Sequence, residues 1–250
     1  MRRVVVCSAA ALLVPLGLAA QAPGGGRFPP ESLVNVQVFP RTTPVIQVIG
    51  TMRNITGALG VRCQYCHVGE EGMPLERFDF ASDERRNKVV ARQMMRMVQE
   101  INRRLDTIPE RPTPRTEVTC TTCHRAVQRP VDLVDLLEHT ATTSGLDSAT
   151  RTYRNLRRDY FGRASYDFDE RTLNIVAGRL GRARRFDDAL ALARLNDEFF
   201  PRASSVPFTM GDIHLARGDT AQAVQQYQAA LRRDPGDQQA RFRLRQLGRS

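Results

Sequence analysis

Cys63, Cys66 and His67 stand in the run Cys63-Gln64-Tyr65-Cys66-His67. Two thiols three residues apart can each bond one vinyl-derived carbon on a single edge of a macrocycle, and the adjoining imidazole then falls beneath a central iron. Cys120-Thr121-Thr122-Cys123-His124 repeats the pattern. Together the two runs absorb every thiol except Cys7. The spacing predicts two covalently bound haem c groups, with Cys63, Cys66, Cys120 and Cys123 as anchors and His67 and His124 as proximal ligands. The competing chemistry for four cysteines is structural zinc, which has no use for a histidine directly after each second cysteine.

An iron held on one side by histidine needs either a second axial ligand or an open position. A thioether is soft and neutral, raises the reduction potential relative to a second histidine, and suits electron carriage. Met52 lies one helix upstream of the first motif on an apolar stripe and is the expected distal ligand there. Before the second motif Met94, Met95 and Met97 compete. Met95 falls off the stripe, whereas Met94 and Met97 lie on it three residues apart, so the residue pattern leaves both open. His139 follows the second motif closely, and His214 belongs to a later helix where packing or a partner contact is expected. No serine or cysteine nucleophile stands out, and Glu70-Glu71 and Asp187-Asp188 read as solvated surface, so no catalytic residue is nominated.

The elements that must position these groups are helices. Val45, Val48, Ile49, Met52, Ile55 and Leu59 recur at three- and four-residue steps and predict a helix ending at Gly60. A second helix is expected to start with Ser82 as its cap and to carry Val90, Met94, Met97, Val98, Ile101 and Leu105. Residues 131–139 predict a short helix, 140–145 a hinge and 147–161 an amphipathic helix. From there a 34-residue period sets Pro201 against Pro235, each closing a helix pair: 170–181 with 186–199, and 205–216 with 220–233. Residues 238–247 would cap the array. The division expected is a signal peptide at 1–22, a linker at 23–43, a dihaem domain at 44–130, connecting helices at 131–169 and repeats at 170–250. The fold class is all-α, a multihaem cytochrome domain followed by a small helical repeat domain.

Met1 to Ala22 has a basic start, an apolar run and a small-residue cleavage site, the features of a secretory leader. Export to the periplasm is expected, and an uncleaved leader or a partner would give peripheral membrane association. The formal net charge is +10. Losing Arg2 and Arg3 with the leader and gaining four haem propionates brings it to about +4. Lys88 is the sole lysine. With no basic stripe carrying interleaved aromatics, nucleic acid is not an expected partner.

Residues 44–130 resemble the cytochrome subunit of photosynthetic reaction centres. The likeness rests on Met52, Gly57-Ala58-Leu59-Gly60-Val61, Cys63 to His67, Met94 to Asn102 and Val118 to Arg125. It implies helix-then-motif units with methionine as the usual sixth ligand, and it maps the coordinating methionine of a Met-x-x-Met run onto Met94, with Met97 as the alternative. This chain carries two motifs where the family carries four. The period around Gly211, Gly218, Ala223, Tyr227, Ala230 and Pro235 resembles a tetratricopeptide array. The expected function is outer-sphere electron transfer, with a membrane-bound or periplasmic redox protein as partner and the repeats docking a protein. The alternatives are a dihaem enzyme such as a peroxidase with one open haem, or a haem-containing scaffold.

Overall fold

The structure, a computed structural model, describes residues 27–249. The expected leader, Cys7 and the start of the linker lie outside them. Among the described residues there are ten α-helices, two 3-10 turns and one isolated antiparallel bridge, Val68 with Asp79, so the all-α expectation holds. The helices are α1 (Val45–Leu59), α2 (Arg86–Leu105), α3 (Cys120–His124), α4 (Leu133–Ser144), α5 (Leu146–Tyr160), α6 (Glu170–Arg182), α7 (Phe186–Phe199), α8 (Ser205–Arg217), α9 (Thr220–Arg233) and α10 (Gln238–Gln246). None is long and apolar enough to cross a membrane. The chain forms two compact units, one of Arg62–Arg96 with the described residues up to Ile49, the other of Gly50–Val61 with the chain from Met97 on. The division falls inside α1 and inside α2.

In the first unit the start of α2 departs from expectation. Ser82 accepts from the Glu84 amide at 3.1 Å, but the helix begins only at Arg86. The reason is the Asp83 carboxylate, which faces side chains instead of amides: Arg92 at 2.8 Å, Lys88 at 3.1 Å and Asn35 at 2.9 Å. The Lys88 ammonium also donates to the carbonyls of Phe80, Ala81 and Ser82 at 2.9, 3.0 and 2.7 Å. A buried ammonium is tolerated when every proton has an acceptor and a carboxylate stands by.

The second unit holds two apolar cores. The larger unites Leu133, Leu137 and Ala141 of α4, Ala149 and Tyr153 of α5, Leu173, Val176 and Leu180 of α6, Leu192 of α7 and Val206 and Ile213 of α8. Each large side chain fully buried there contributes about 1.5–3 kcal/mol. The first repeat therefore leans on the helices before it. The smaller core gathers Ala223, Tyr227 and Ala230 of α9 with Ala240 and Leu244 of α10. Gly211 admits the Tyr227 ring, which a Cβ at that position would meet at 2.6 Å. Aspartates start four of these helices: Asp132, Asp169, Asp219 and Asp237 each accept from amides of the first turn, worth about 1 kcal/mol apiece.

The hinge expected at 140–145 is helix up to Ser144. Thr140, Thr142 and Thr143 turn their hydroxyls back onto the carbonyls of Leu136, Glu138 and His139, so their polar groups are satisfied within the helix. The break is Gly145 alone, at φ 85°.

Candidate haem-attachment sites

The first motif lies on the 3-10 turn Cys63–Tyr65, closed by the Cys66 and His67 amides donating to the Cys63 carbonyl at 3.2 and 3.0 Å. Asn87 of α2 donates to the Tyr65 carbonyl at 3.1 Å and ties the turn to the helix. The His67 ring meets the Phe80 ring edge-on at 4.9 Å, and Phe80 stacks on Phe78 at 5.6 Å. Lys88 holds the Phe80 carbonyl, so the same cation fixes the ring that packs on the imidazole. Burial, with the positive charges of Lys88 and Arg92, pushes the His67 imidazole down to about 4. It is therefore neutral near pH 7, the form that binds a metal. Its Nδ1 is buried without a hydrogen-bond partner.

The second motif is α3 itself. Thr119 precedes it and donates its amide to Thr122 Oγ1 at 2.9 Å. Asn102 of α2 brackets the approach, exchanging two hydrogen bonds of 2.8 Å with the Val118 backbone. The two motifs thus differ in local conformation, yet an asparagine of α2 holds the backbone at each. The sequence marks these asparagines only by their place on that helix.

His124 Nδ1 lies 2.9 Å from the Val127 carbonyl oxygen. A carbonyl can only accept, so Nδ1 carries a proton and, of the two ring nitrogens, Nε2 is the one that could ligate a metal. Between the two residues Arg125 and Ala126 take left-handed φ of 47° and 65°, and the Val127 amide closes the turn on the His124 carbonyl at 2.8 Å. Each left-handed non-glycine residue costs about 1–2 kcal/mol. The Ala126 amide donates to the Ala58 carbonyl at the end of α1, at 2.8 Å. Gly60, at φ 66°, makes room for this turn, because a Cβ there would lie 2.6 Å from the Ala126 carbonyl oxygen.

Among the described residues no disulfide joins Cys63, Cys66, Cys120 and Cys123. Burial raises the pKa of Cys66, with Cys63 adding to it, and burial likewise raises that of Cys120. Neither is an activated nucleophile. Among the described residues no three His, Cys, Asp or Glu side chains gather as a metal-chelating group.

Cys63, Cys66, His67 and Met94 fall in the first unit, and Met52, Met97, Cys120, Cys123 and His124 in the second. Met52 is half-buried on α1. On α2 the sequence stripe is uncovered at Val90, Met94 and Met97, which are 43, 40 and 48 % exposed, while Lys88 and Arg92 are buried. Apolar side chains without protein cover are the kind of surface that a flat macrocycle can use. His139 is exposed on α4. His214, on α8, is half-buried with Asp219 at 3.8 Å, and burial lowers its pKa.

Two family models match successive stretches of the chain, the first running beyond residue 130 into α6. The family described as photosynthetic reaction centre cytochrome C subunit matches residues 46–179, more than half of the chain. A tetratricopeptide repeat family matches residues 208–246. Cytochrome c-554 of Chloroflexus aurantiacus is 35 % identical over 99 residues, covering 36 % of this chain. The match spans 22 % of that relative's own length.

Proposed function

Because the chain belongs to the photosynthetic reaction centre cytochrome c subunit family, we propose that it is an exported dihaem c-type cytochrome that carries electrons by outer-sphere transfer. The observation that carries the reading is the His124 ring, which follows Cys123 directly and whose Nδ1 lies 2.9 Å from the Val127 carbonyl oxygen. A backbone carbonyl behind the imidazole fixes its tautomer and plane and raises its basicity, as expected of a metal-ligating histidine. Haem bound at the two motifs supplies irons that cycle between the ferric and ferrous states.

The chain's own residues do the rest. Cys63, Cys66, Cys120 and Cys123 are the covalent tethers, His67 and His124 the proximal ligands, and Met52 with Met94, or Met97 in its place, the distal ligands. With these residues holding haem, ligation closed on both sides would keep reorganisation small and would favour electron transfer over chemistry on a substrate. The cytochrome name of the Chloroflexus relative supports this reading. The tetratricopeptide region is read as the docking module for a protein partner, and the electron partner as a membrane-bound or periplasmic redox protein. Periplasmic location rests on the leader-like residues 1–22.

The test is the optical spectrum of the haem-loaded protein, oxidised and reduced, with and without carbon monoxide, beside a haem count. Two low-spin haems per chain that ignore carbon monoxide support the carrier. One high-spin haem that binds it would move the assignment to a dihaem enzyme.

A further inference from the structure

The haem-site reading leaves one connection without a role. The carbonyl of Arg125, the residue directly after His124, accepts a 2.6 Å hydrogen bond from the Ser165 hydroxyl. The Arg125 guanidinium returns a hydrogen bond of 3.1 Å to the Ala164 carbonyl. Ala164 is left-handed at φ 55°, like Arg125 and Ala126. Three strained residues meeting at a two-bond clasp persist only where the contacts hold them. The clasp comes from the loop that leads into the first repeat: Tyr166 packs on Tyr160 and Phe168 at 5.5 and 6.0 Å, Thr172 of α6 donates to the Asp167 carbonyl at 2.9 Å, and Asp169 caps α6.

We propose that Ser165 and Arg125 are positioning residues for His124, the clasp between them holding the 125–126 turn so that the Val127 carbonyl stays behind the imidazole. The inference rests on the reading of His124 as an axial haem ligand. Its reach is to the repeats: their entry loop forms part of the scaffold that tunes the second attachment site. The chemistry acts through one bond. A firm Nδ1–H···O=C bond makes imidazole the stronger donor and favours ferric iron; slackening it favours ferrous iron and raises the potential.

The experiment uses the haem-loaded full chain and compares Ser165→Ala, Ser165→Thr and Arg125→Gln by redox titration, with thermal melting as a check on the fold. In Ser165→Ala one of the two potentials rises, by up to about tenfold in the ferric–ferrous equilibrium, which is 59 mV for one electron, and the other stays in place. Ser165→Thr, which keeps the hydroxyl, restores the wild-type value. Arg125→Gln moves the same potential in the same direction, and carries the test if Ser165→Ala does not accumulate. Unmoved potentials, equal shifts of both haems, or a threonine variant as displaced as the alanine variant each overturn the positioning role. A haem count separates the two levels of the argument. A chain without haem at Cys120 and Cys123 overturns the dihaem reading and this inference together, whereas two haems with unmoved potentials overturn this inference alone.

Discussion

Lys88 Nζ and Asp83 Oδ1 lie 3.1 Å apart, and the same ammonium is shared with three successive carbonyls, Phe80 to Ser82. The only lysine of the chain is thus a structural staple with a side chain 10 % exposed. Lys88→Met removes one donor group from four acceptors, the Asp83 carboxylate and three carbonyls, and should destabilise the protein by about 1–3 kcal/mol. Thermal melts measure it. Amine-directed labelling gives a second check: Lys88 reacts slowly in the native protein and fast after denaturation, and equal rates would show that the staple does not form.

Asp83 sets an acid limit. Hydrogen bonds from Arg92, then Asn35 and Lys88, hold its carboxyl well below the usual value. Its folded-state pKa lies below the unfolded value of 3.8, so the contribution is complete above that pH and declines as pH falls beneath it. Melts from pH 7 down to pH 2 should show this loss in the wild type. Asp83→Asn should start lower at pH 7 and lose less on acidification.

Gly60 admits no side chain. A Cβ would lie 2.6 Å from the Ala126 carbonyl oxygen, and the backbone is left-handed. Gly60→Ala should cost about 1–3 kcal/mol, combining the φ penalty with displacement of the 125–126 turn. An alanine variant as stable as wild type in a denaturant melt would contradict the close approach.

The methionines separate carrier from enzyme. Met52→Ala and Met94→Ala should each either lower one haem potential or leave one iron high-spin and open to carbon monoxide. A Met94→Ala protein with an unchanged spectrum, beside a Met97→Ala protein with a changed one, would transfer the ligand role to Met97.

Ser82 shows where local reading stops. It follows a loop and precedes acids and an apolar stripe, every local sign of a cap, yet α2 starts at Arg86 because Asp83 is claimed by Lys88, Arg92 and Asn35. The threonines of 140–143 misled in the same way. Their hydroxyls suit a hinge or a helix equally, and packing of Leu137 and Ala141 into the larger core decides for the helix.

What the sequence by itself determined is what short range encodes. The two Cys-x-x-Cys-His runs predict haem attachment because the covalent chemistry is contained in five residues, and the repeat helices from Glu170 on announce themselves by a 34-residue period and apolar spacing. Only the tertiary structure decided that Asn87 and Asn102 hold the motif backbones, that Lys88 braces Phe80 against His67, and that Ser165 reaches Arg125 forty residues away. Each of these is a hydrogen bond or ring contact between segments distant in sequence. Such partners are chosen by how the chain packs, and no periodicity or motif in either segment carries the address of the other.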